Sequence, residues 1–201
     1  MPPDRIAEEP IFFASAFEAL FERTLHGHAT PELKEKLRAA GVDVDRRLKV
    51  AYPFKVWEDV VAVIAKDLHP DVDDVEAWFR LGLDFWEGFN ATLIGKAAIG
   101  MAKLVGLDRA FQRFTSNMRH INNAGQGTIE LREKGRMRLR MKLLDKFRGK
   151  IHPAPPQVPH YLRGVLLGVL RGLGKPDADV VLVETSPQER DSLYELKWTE
   201  R

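Results

Sequence analysis

Residues 128–144 carry the pattern that most restricts the fold, because apolar and charged residues alternate there with a period of two. The second half sets Met137, Leu139, Met141 and Leu143 against Arg136, Arg138, Arg140 and Lys142. Such alternation is typical of a β-strand with one buried and one solvated face. Ile129 and Leu131 alternate with polar neighbours in the first half, and Glu133-Lys134-Gly135 between the halves is short enough to turn the chain. We predict an antiparallel hairpin, and since an isolated hairpin is marginal in water, other elements must cover its apolar face.

Helical patterns precede the hairpin. Apolar residues recur there at three- and four-residue spacing, which is typical of helices with one buried face. The predicted helices are 11–25, 31–40, 54–68, 75–90 and 95–107, with 108–117 as an extension or a turn. Residues 42–51 are predicted as a connector or a short helix, because Tyr52-Pro53 disfavours helical continuation. Residues 119–127 are predicted as extended chain leading into the hairpin.

Strands and one helix follow the hairpin. After a proline-rich loop at 148–159, the pattern predicts a helix at 160–173 and strands at 179–185 and 193–199. The continuous apolar run of residues 180–183 predicts an internal strand. The fold class is therefore α+β, with an N-terminal helical layer packed on a C-terminal antiparallel sheet of about four strands. We expect a single domain, 1–201, with a helical subdomain at 11–110 and a hairpin–helix–hairpin subdomain at 111–201.

Composition excludes several kinds of chemistry. The sequence contains no cysteine, which excludes disulfides, thiolate catalysis and cysteine-ligated metal sites. Six histidines are scattered without metal-ligand spacing, and no GxSxG motif or phosphate-binding glycine loop occurs. We expect no metal, no cofactor and no catalytic residue. The chain has no secretory pattern and no apolar run of about 18 residues, so we expect a cytoplasmic protein.

Arg136, Arg138, Arg140 and Lys142 place positive charge along the solvated face of one predicted strand. One interpretation is an electropositive surface for nucleic acid, an anionic membrane surface or an acidic protein. The other is a solvated face whose charges protect an edge strand from aggregation.

Two further groups are open to two interpretations each. A polar cluster beside the hairpin either lines the mouth of a ligand pocket or makes a turn; its members are Asn117, Arg119, Asn122 and Asn123. The predicted helices also carry large aromatic residues that either wall an apolar ligand cavity or pack the core. The tryptophans among them are Trp57, Trp78 and Trp86.

Gly164, Gly168 and Gly172 recur every fourth residue, which leaves one face of the predicted helix as bare backbone. Each glycine inside a helix costs about 1 kcal/mol relative to alanine, so the face needs a packing reason. The reason is either a close approach of a second copy, making a dimer seam, or tight packing on the chain's own sheet.

Several short strings, taken in order, resemble a family of about two-hundred-residue, functionally uncharacterised proteins found mainly in myxobacteria. The strings are Ala51-Tyr52-Pro53 before Trp57; Gly82 and Glu87-Gly88-Phe89 with Thr92 and Gly95; Asn122-Asn123 with Gly125, Thr128 and Glu130; Tyr161 and Arg163-Gly164-Val165-Leu166 with Gly168; and Tyr194-Glu195 with Trp198. The resemblance spans nearly the whole chain. That family has no assigned activity, so the resemblance implies no catalytic residue.

The order of helices, hairpin, helix and hairpin is more distantly similar to haem–nitric-oxide-binding and vinyl-reductase-type small-molecule-binding domains. That similarity implies a sensor or a dimeric binding module. The tyrosine–serine–arginine signature of the haem motif is missing from this sequence, which argues against haem. His120 is the one histidine beside the predicted strands that a haem site would use.

We therefore hypothesise a non-enzymatic binding module, a homodimer, that recognises a protein partner or a small apolar ligand. The alternatives are a binder of nucleic acid or anionic surfaces through the basic strand, and an enzyme of unrecognised type that uses residues 119–127. A cavity between the helical layer and the sheet would favour the small ligand.

Overall fold

The computed structural model describes residues 8–91 and 93–200, and its elements confirm the α+β prediction. The helices are α1 (Ala14–Thr24), α2 (Pro31–Ala39), α3 (Phe54–Leu68), α4 (Asp74–Ala91), α5 (Leu93–Val105), α6 (Leu107–Asn117) and α7 (Val158–Gly172). The strands are β1 (Ile11–Phe13), β2 (Ala51–Pro53), β3 (Gly125–Glu133), β4 (Arg136–Leu143), β5 (Asp179–Ser186) and β6 (Asp191–Lys197).

Local signals set where two of the helices begin. Thr30 caps α2, since its hydroxyl accepts a hydrogen bond from the Leu33 amide at 3.1 Å, and Pro31 occupies the first helical position. Asp73 precedes α4, and its carboxylate accepts from the Glu76 amide at 2.9 Å. These side chains satisfy amide groups that have no partner within their own helix.

The main sheet has the order β3-β4-β6-β5, with every neighbouring pair antiparallel. The predicted hairpin is β3–β4, which confirms the period-two pattern. Its turn is Lys134-Gly135, with Gly135 at φ +73°. The apolar residues of β4 are buried, as the alternation predicts: Met137, Leu139, Met141 and Leu143.

Three predicted elements differ from the structure. Residues 119–127 are predicted as extended chain, but Met118–His120 forms a short 3₁₀ turn and the strand starts only at Gly125. Strand β5 lies at the sheet edge, so the predicted internal position is wrong. In the order β3-β4-β6-β5, β5 is the last strand, so it pairs with β6 on one side only. Val181 and Val183 point away from the core face that holds the buried Val180, and they are 42% and 43% exposed. The helix predicted from residue 11 starts three residues later, because Ile11–Phe13 pairs as β1 with β2.

Helix α7 connects the two layers. One side packs on α4, and the other packs on β5 and β6 of the main sheet. Leu166, Val169 and Leu170 of α7 belong to a buried cluster that also includes residues of the N-terminal helices and of the sheet. Within residues 8–91 and 93–200, no helix combines the length and the apolar character needed to cross a membrane.

Candidate functional site

A cavity of about 580 Å³ lies between the helices and the main sheet. Its walls come from α3 to α7, from β3, β4 and β5, and from the segments between them. Protein interiors hold few voids larger than a water molecule, whereas small-molecule sites measure about 300–1,000 Å³. The cavity is therefore of the size that binds a ligand.

Aromatic rings form much of the cavity wall. Trp57, Trp78 and Trp86, the three tryptophans singled out in the sequence, all line it. The Phe12 ring stacks on Trp57 with ring centroids 4.7 Å apart and planes 13° apart. Tyr161 meets the same indole edge-on at 6.1 Å. Rings packed on one another hold a rigid apolar surface toward a bound molecule.

Two polar side-chain atoms of residues that line the cavity have no hydrogen-bond partner among the described residues. They are the Tyr161 hydroxyl and the Trp86 indole Nε1, and both are buried. Burial raises the pKa of the Tyr161 phenol well above its ordinary value, so the hydroxyl keeps its proton.

A buried ion pair lines another part of the cavity. Arg190 donates to both carboxylate oxygens of Glu58, with Nη1–Oε1 at 2.6 Å and Nη2–Oε2 at 3.3 Å. The two side chains are 6% and 5% exposed. His152 Nε2 lies 2.8 Å from Glu58 Oε2, and Arg190 Nε donates to the His152 carbonyl at 2.9 Å. This polar corner, made of Glu58, Arg190 and His152, joins three segments that are distant in sequence.

The sequence interpretation missed this polar corner, although one signal was present. Glu58 shares a helix face with Val61 and Ala65, three and seven residues later, and both are buried. An acidic residue on a buried face needs a partner, because an unpaired buried charge is strongly destabilising. Nothing in the sequence indicates that Arg190 supplies it.

The polar cluster predicted at 119–127 divides between two roles. Asn122 is 3% exposed and lines the cavity, and its side-chain oxygen accepts from the amides of Ala124 and Gly125 at 3.0 and 2.5 Å. Asn123 accepts from the Ile11 amide at 2.9 Å, which ties the cluster to β1. Arg119 is exposed and does not line the cavity. Asn122 therefore makes a turn and contributes to the cavity wall at the same time.

The arginines of β4 face carboxylates on the other three strands of the main sheet. Arg136 and Arg138 reach one oxygen of Glu195 at 2.5 and 3.2 Å. Arg140 pairs with Glu130, with Asp191 at 2.8 Å and with Glu184 at 3.1 Å. Lys142 is half-buried and lines the cavity. Because β4 is internal, the interpretation that these charges protect an edge strand is wrong.

We expect stability to depend on Glu195 in a pH-dependent way. Lys197 at 2.6 Å, followed by Arg136 and Arg138, lowers the pKa of Glu195 from 4.5 to about 2. A pKa lowered by folding adds stability above the unfolded pKa, and that contribution is lost as the pH falls from about 5 to about 2. Urea unfolding should show Glu195→Gln less stable than wild type at pH 7, with the two converging near pH 2. A difference that is constant from pH 7 to pH 2 would contradict this expectation.

The glycines predicted as a dimer seam contact α4 of the same chain. A Cβ atom on Gly164 would lie 2.0 Å from the Phe79 carbonyl oxygen, and one on Gly82 would lie 2.1 Å from the Tyr161 carbonyl oxygen. Gly168 and Gly172 face the Trp86 indole. This contact accounts for the glycines without a second copy, and a dimer seam there would require α4 and α7 to separate. The alternative prediction, that the glycines pack on the chain's own sheet, is wrong as well, because they pack on helix α4.

None of the six histidines lines the cavity. His120 is exposed on the short turn after α6. His69 lies 3.1 Å from Asp84, away from the cavity wall. Among the described residues, no three histidine or acidic side chains group as a metal site would require.

The family comparison covers the same span as this fold. A model of a family of proteins of unknown function, DUF2378, matches residues 11–199. This chain belongs to the DUF2378 family. No curated protein matches the DUF2378 chain at a significant level.

Solved structures with the fold of this DUF2378 chain include H-NOX domains. One comes from work on the mechanism of H-NOX activation, with 12% identity, a TM-score of 0.61, and 94% of this chain and 97% of that chain covered. An oxygen-binding H-NOX domain related to soluble guanylate cyclases has 14% identity, a TM-score of 0.59 and 92% of each chain covered. The Fe(II) unliganded H-NOX protein from K. algicida has 10% identity, a TM-score of 0.58, and 94% and 97% covered. The likeness confirms the predicted similarity to haem–nitric-oxide-binding domains at the level of the fold.

Proposed function

We propose that this chain is a small-molecule-binding domain that holds an apolar ligand in its cavity without using haem. The observation that carries the proposal is the cavity of about 580 Å³ with its largely apolar wall. The shared fold supports it, since the similar H-NOX structures include an oxygen-binding domain and an Fe(II) protein. Because those proteins share only 10–14% identity with this chain, the ligand is inferred from the cavity itself.

The residues of the cavity do not fit haem. Haem iron is held by an imidazole, a thiolate or a phenolate, or by a thioether opposite an imidazole. The sequence has no cysteine, and none of its histidines lines the cavity. Met101, Met118 and Met141 line it but have no imidazole opposite them. Tyr161 is the one tyrosine in the wall, and its hydroxyl oxygen is buried where a group in the cavity does not reach it.

An apolar ligand gains affinity here by leaving water. Each square ångström of apolar surface removed from water contributes roughly 25 cal/mol. The aromatic wall is built before the ligand arrives, so little side-chain ordering opposes binding. Direct contact with Trp57 and Trp86 should also change tryptophan fluorescence when a ligand binds.

Filling the cavity should abolish binding. Ala110 lies on α6, is 9% exposed and lines the cavity, so Ala110→Trp places an indole inside it. We expect the neutral probe N-phenyl-1-naphthylamine to bind wild type with increased fluorescence, and Ala110→Trp to weaken this binding at least tenfold. Circular dichroism of the variant confirms that it folds.

The matched control is Ala62→Trp, which makes the same change on an exposed position of α3 and should bind the probe like wild type. Haemin added to wild type should show no absorbance band of histidine-ligated or tyrosinate-ligated iron. Equal probe binding in Ala110→Trp and wild type, or such a haem band, would contradict the proposal.

The homodimer and the protein partner stay predictions. Helix α5 exposes two apolar side chains, Met101 (50%) and Leu104 (84%). A contact with a second copy or with a protein partner at this helix would bury apolar surface.

A further inference from the structure

Helix α5 exposes a stripe of apolar residues to solvent. Its members recur at three- and four-residue spacing, which places them on one side of the helix: Ala97, Gly100, Met101 and Leu104. Leu104 is 84% exposed and Met101 is 50% exposed, and a Cβ atom on Gly100 would meet nothing within 4 Å. Single exposed apolar residues are ordinary on protein surfaces, whereas a contiguous exposed group marks a contact with a partner or a membrane.

The cavity does not account for this apolar stripe. Helix α5 packs on α4 and on α6, and its residues Ala97, Ile99 and Met101 line the cavity. Leu104 is the most exposed member of the stripe and does not line the cavity. A ligand held in the cavity would therefore leave the Leu104 side chain in water.

The size of the stripe favours a membrane surface over a protein partner. Helix α5 has 13 residues, so it is roughly 20 Å long, and at about 10 Å across it presents on the order of 200 Å². A stable protein interface buries about 800 Å² on each partner. The apolar core of a bilayer is about 30 Å thick, so a helix of this length lies on a bilayer surface and does not cross it. A single helix with an apolar side is enough for such a contact.

Basic residues accompany the stripe. Residues 93–117, which form α5, α6 and the turn between them, carry four basic residues and one acidic residue, a net charge of +3. Lys96, Arg109 and Arg113 among them are exposed. An apolar surface next to positive charge complements a bilayer with anionic headgroups.

A groove at the end of α5 adds further positive charge. Val105, the last residue of α5, lines it. Four basic and two acidic residues also line it: Arg109, Arg132, Lys134, Lys175, Glu133 and Glu200. The positive charge thus continues beyond the helix itself, and the apolar stripe and the basic groove meet at one end of α5.

We propose that α5 docks this protein on the surface of an anionic lipid bilayer. Met101 and Leu104 enter the boundary between headgroups and acyl chains, and the basic residues of α5 and α6 face the headgroups. Because Met101 also lines the cavity, docking would place this part of the cavity wall against the bilayer. The proposal goes beyond the proposed function, since it concerns a surface and requires no ligand in the cavity.

Vesicle flotation tests the docking. Wild type should bind vesicles of phosphatidylcholine with about 30% phosphatidylglycerol at least tenfold more tightly than vesicles of phosphatidylcholine alone, because basic residues add to binding at an anionic surface. Raising the salt concentration should weaken this binding. Leu104→Glu places a charge in the apolar stripe and should weaken it at least tenfold.

The matched control is Val50→Glu, which introduces the same charge at another exposed apolar residue. Val50 is 75% exposed and precedes β2, and this variant should bind the anionic vesicles like wild type. Both substitutions are at exposed positions, and circular dichroism confirms that the variants fold.

A fluorescent label reports which surface meets the bilayer. The sequence contains no cysteine, so Leu104→Cys and Val50→Cys each provide a single site for an NBD label. NBD emission should rise at least twofold and shift to shorter wavelength when the protein labelled at position 104 meets anionic vesicles. The label at position 50 should not respond.

Four results would overturn the docking proposal. They are no binding of wild type to anionic vesicles at low salt, equal binding by Leu104→Glu and wild type, a label at position 50 that responds as strongly as one at position 104, and a wild-type dimer in light scattering that Leu104→Glu converts to a monomer. The last result would assign the stripe to a second copy. None of the four affects the proposed function, because N-phenyl-1-naphthylamine binding is measured without vesicles.

Discussion

Replacing Arg190 with alanine is expected to lower the free energy of unfolding by about 3–5 kcal/mol, because the variant leaves Glu58 buried without its charge partner. For a chain of this length, each kcal/mol corresponds to roughly 2–4 °C in Tm, so the melting temperature should fall by about 6–20 °C. Urea unfolding and calorimetry measure the two quantities. Arg46→Ala is the control, since the Arg46 side chain is 83% exposed and its pair with Asp43 should contribute less than about 1 kcal/mol.

The double variant Glu58→Leu/Arg190→Met separates the penalty of a lone charge from the value of the pair. Replacing both partners of a buried ion pair with apolar residues is often neutral or stabilising. We therefore expect the double variant to recover most of the stability that Arg190→Ala loses. A double variant as unstable as Arg190→Ala would show that the pair itself stabilises the fold.

The backbone of the polar corner is unusual at Arg190, which lies in the turn between β5 and β6. Arg190 has φ +51°, the one non-glycine residue with positive φ among the described residues. Such a conformation costs about 1 kcal/mol or more for a residue with a side chain. The stability of the double variant, measured beside its probe binding, distinguishes a structural role from a ligand-binding one.

Replacing Gly164 with alanine is expected to destabilise the protein by about 3 kcal/mol, the upper end of the usual effect of overpacking. The new Cβ would lie 2.0 Å from the Phe79 carbonyl oxygen and 3.0 Å from the Leu83 amide nitrogen. Both are backbone atoms of α4, so relief requires the two helices to move apart. That movement would also displace Tyr161 and Trp86 in the cavity wall. Probe binding should therefore weaken together with stability.

The control for this prediction is Gly100→Ala. Gly100 lies on α5, and a Cβ atom there would meet nothing within 4 Å. Alanine at an open helical position stabilises by about 0.5–1 kcal/mol, because glycine loses more backbone freedom on folding. Gly164→Ala and Gly100→Ala should thus change the free energy of unfolding in opposite directions. A similar small effect from both would contradict the close contact between α4 and α7.

The local elements were predictable from the sequence because their causes are local. Alternation over residues 136–143 predicts β4, since side chains of a strand point to opposite faces in turn. Thr30-Pro31 likewise predicts the start of α2 from a local cause. The Thr30 hydroxyl accepts a hydrogen bond from the amide of Leu33, only three residues later. By contrast, residues 180–183 form an apolar run that suits an internal strand or an edge strand equally well. The order of pairing across the sheet then decided that β5 lies at the edge.

The partners in the site were decided by the tertiary structure. Glu58 and Arg190 are 132 residues apart, and no pattern in the sequence relates them. The glycine spacing on α7 showed that something approaches closely, but only the fold shows that it is α4 of the same chain. The cavity likewise depends on how the helices pack against the sheet, because the same tryptophans could equally fill a core without a cavity. Sequence thus determined which surfaces are apolar, through short-range periodicity. The packing of distant segments decided which of those surfaces meet and which leave room for a ligand.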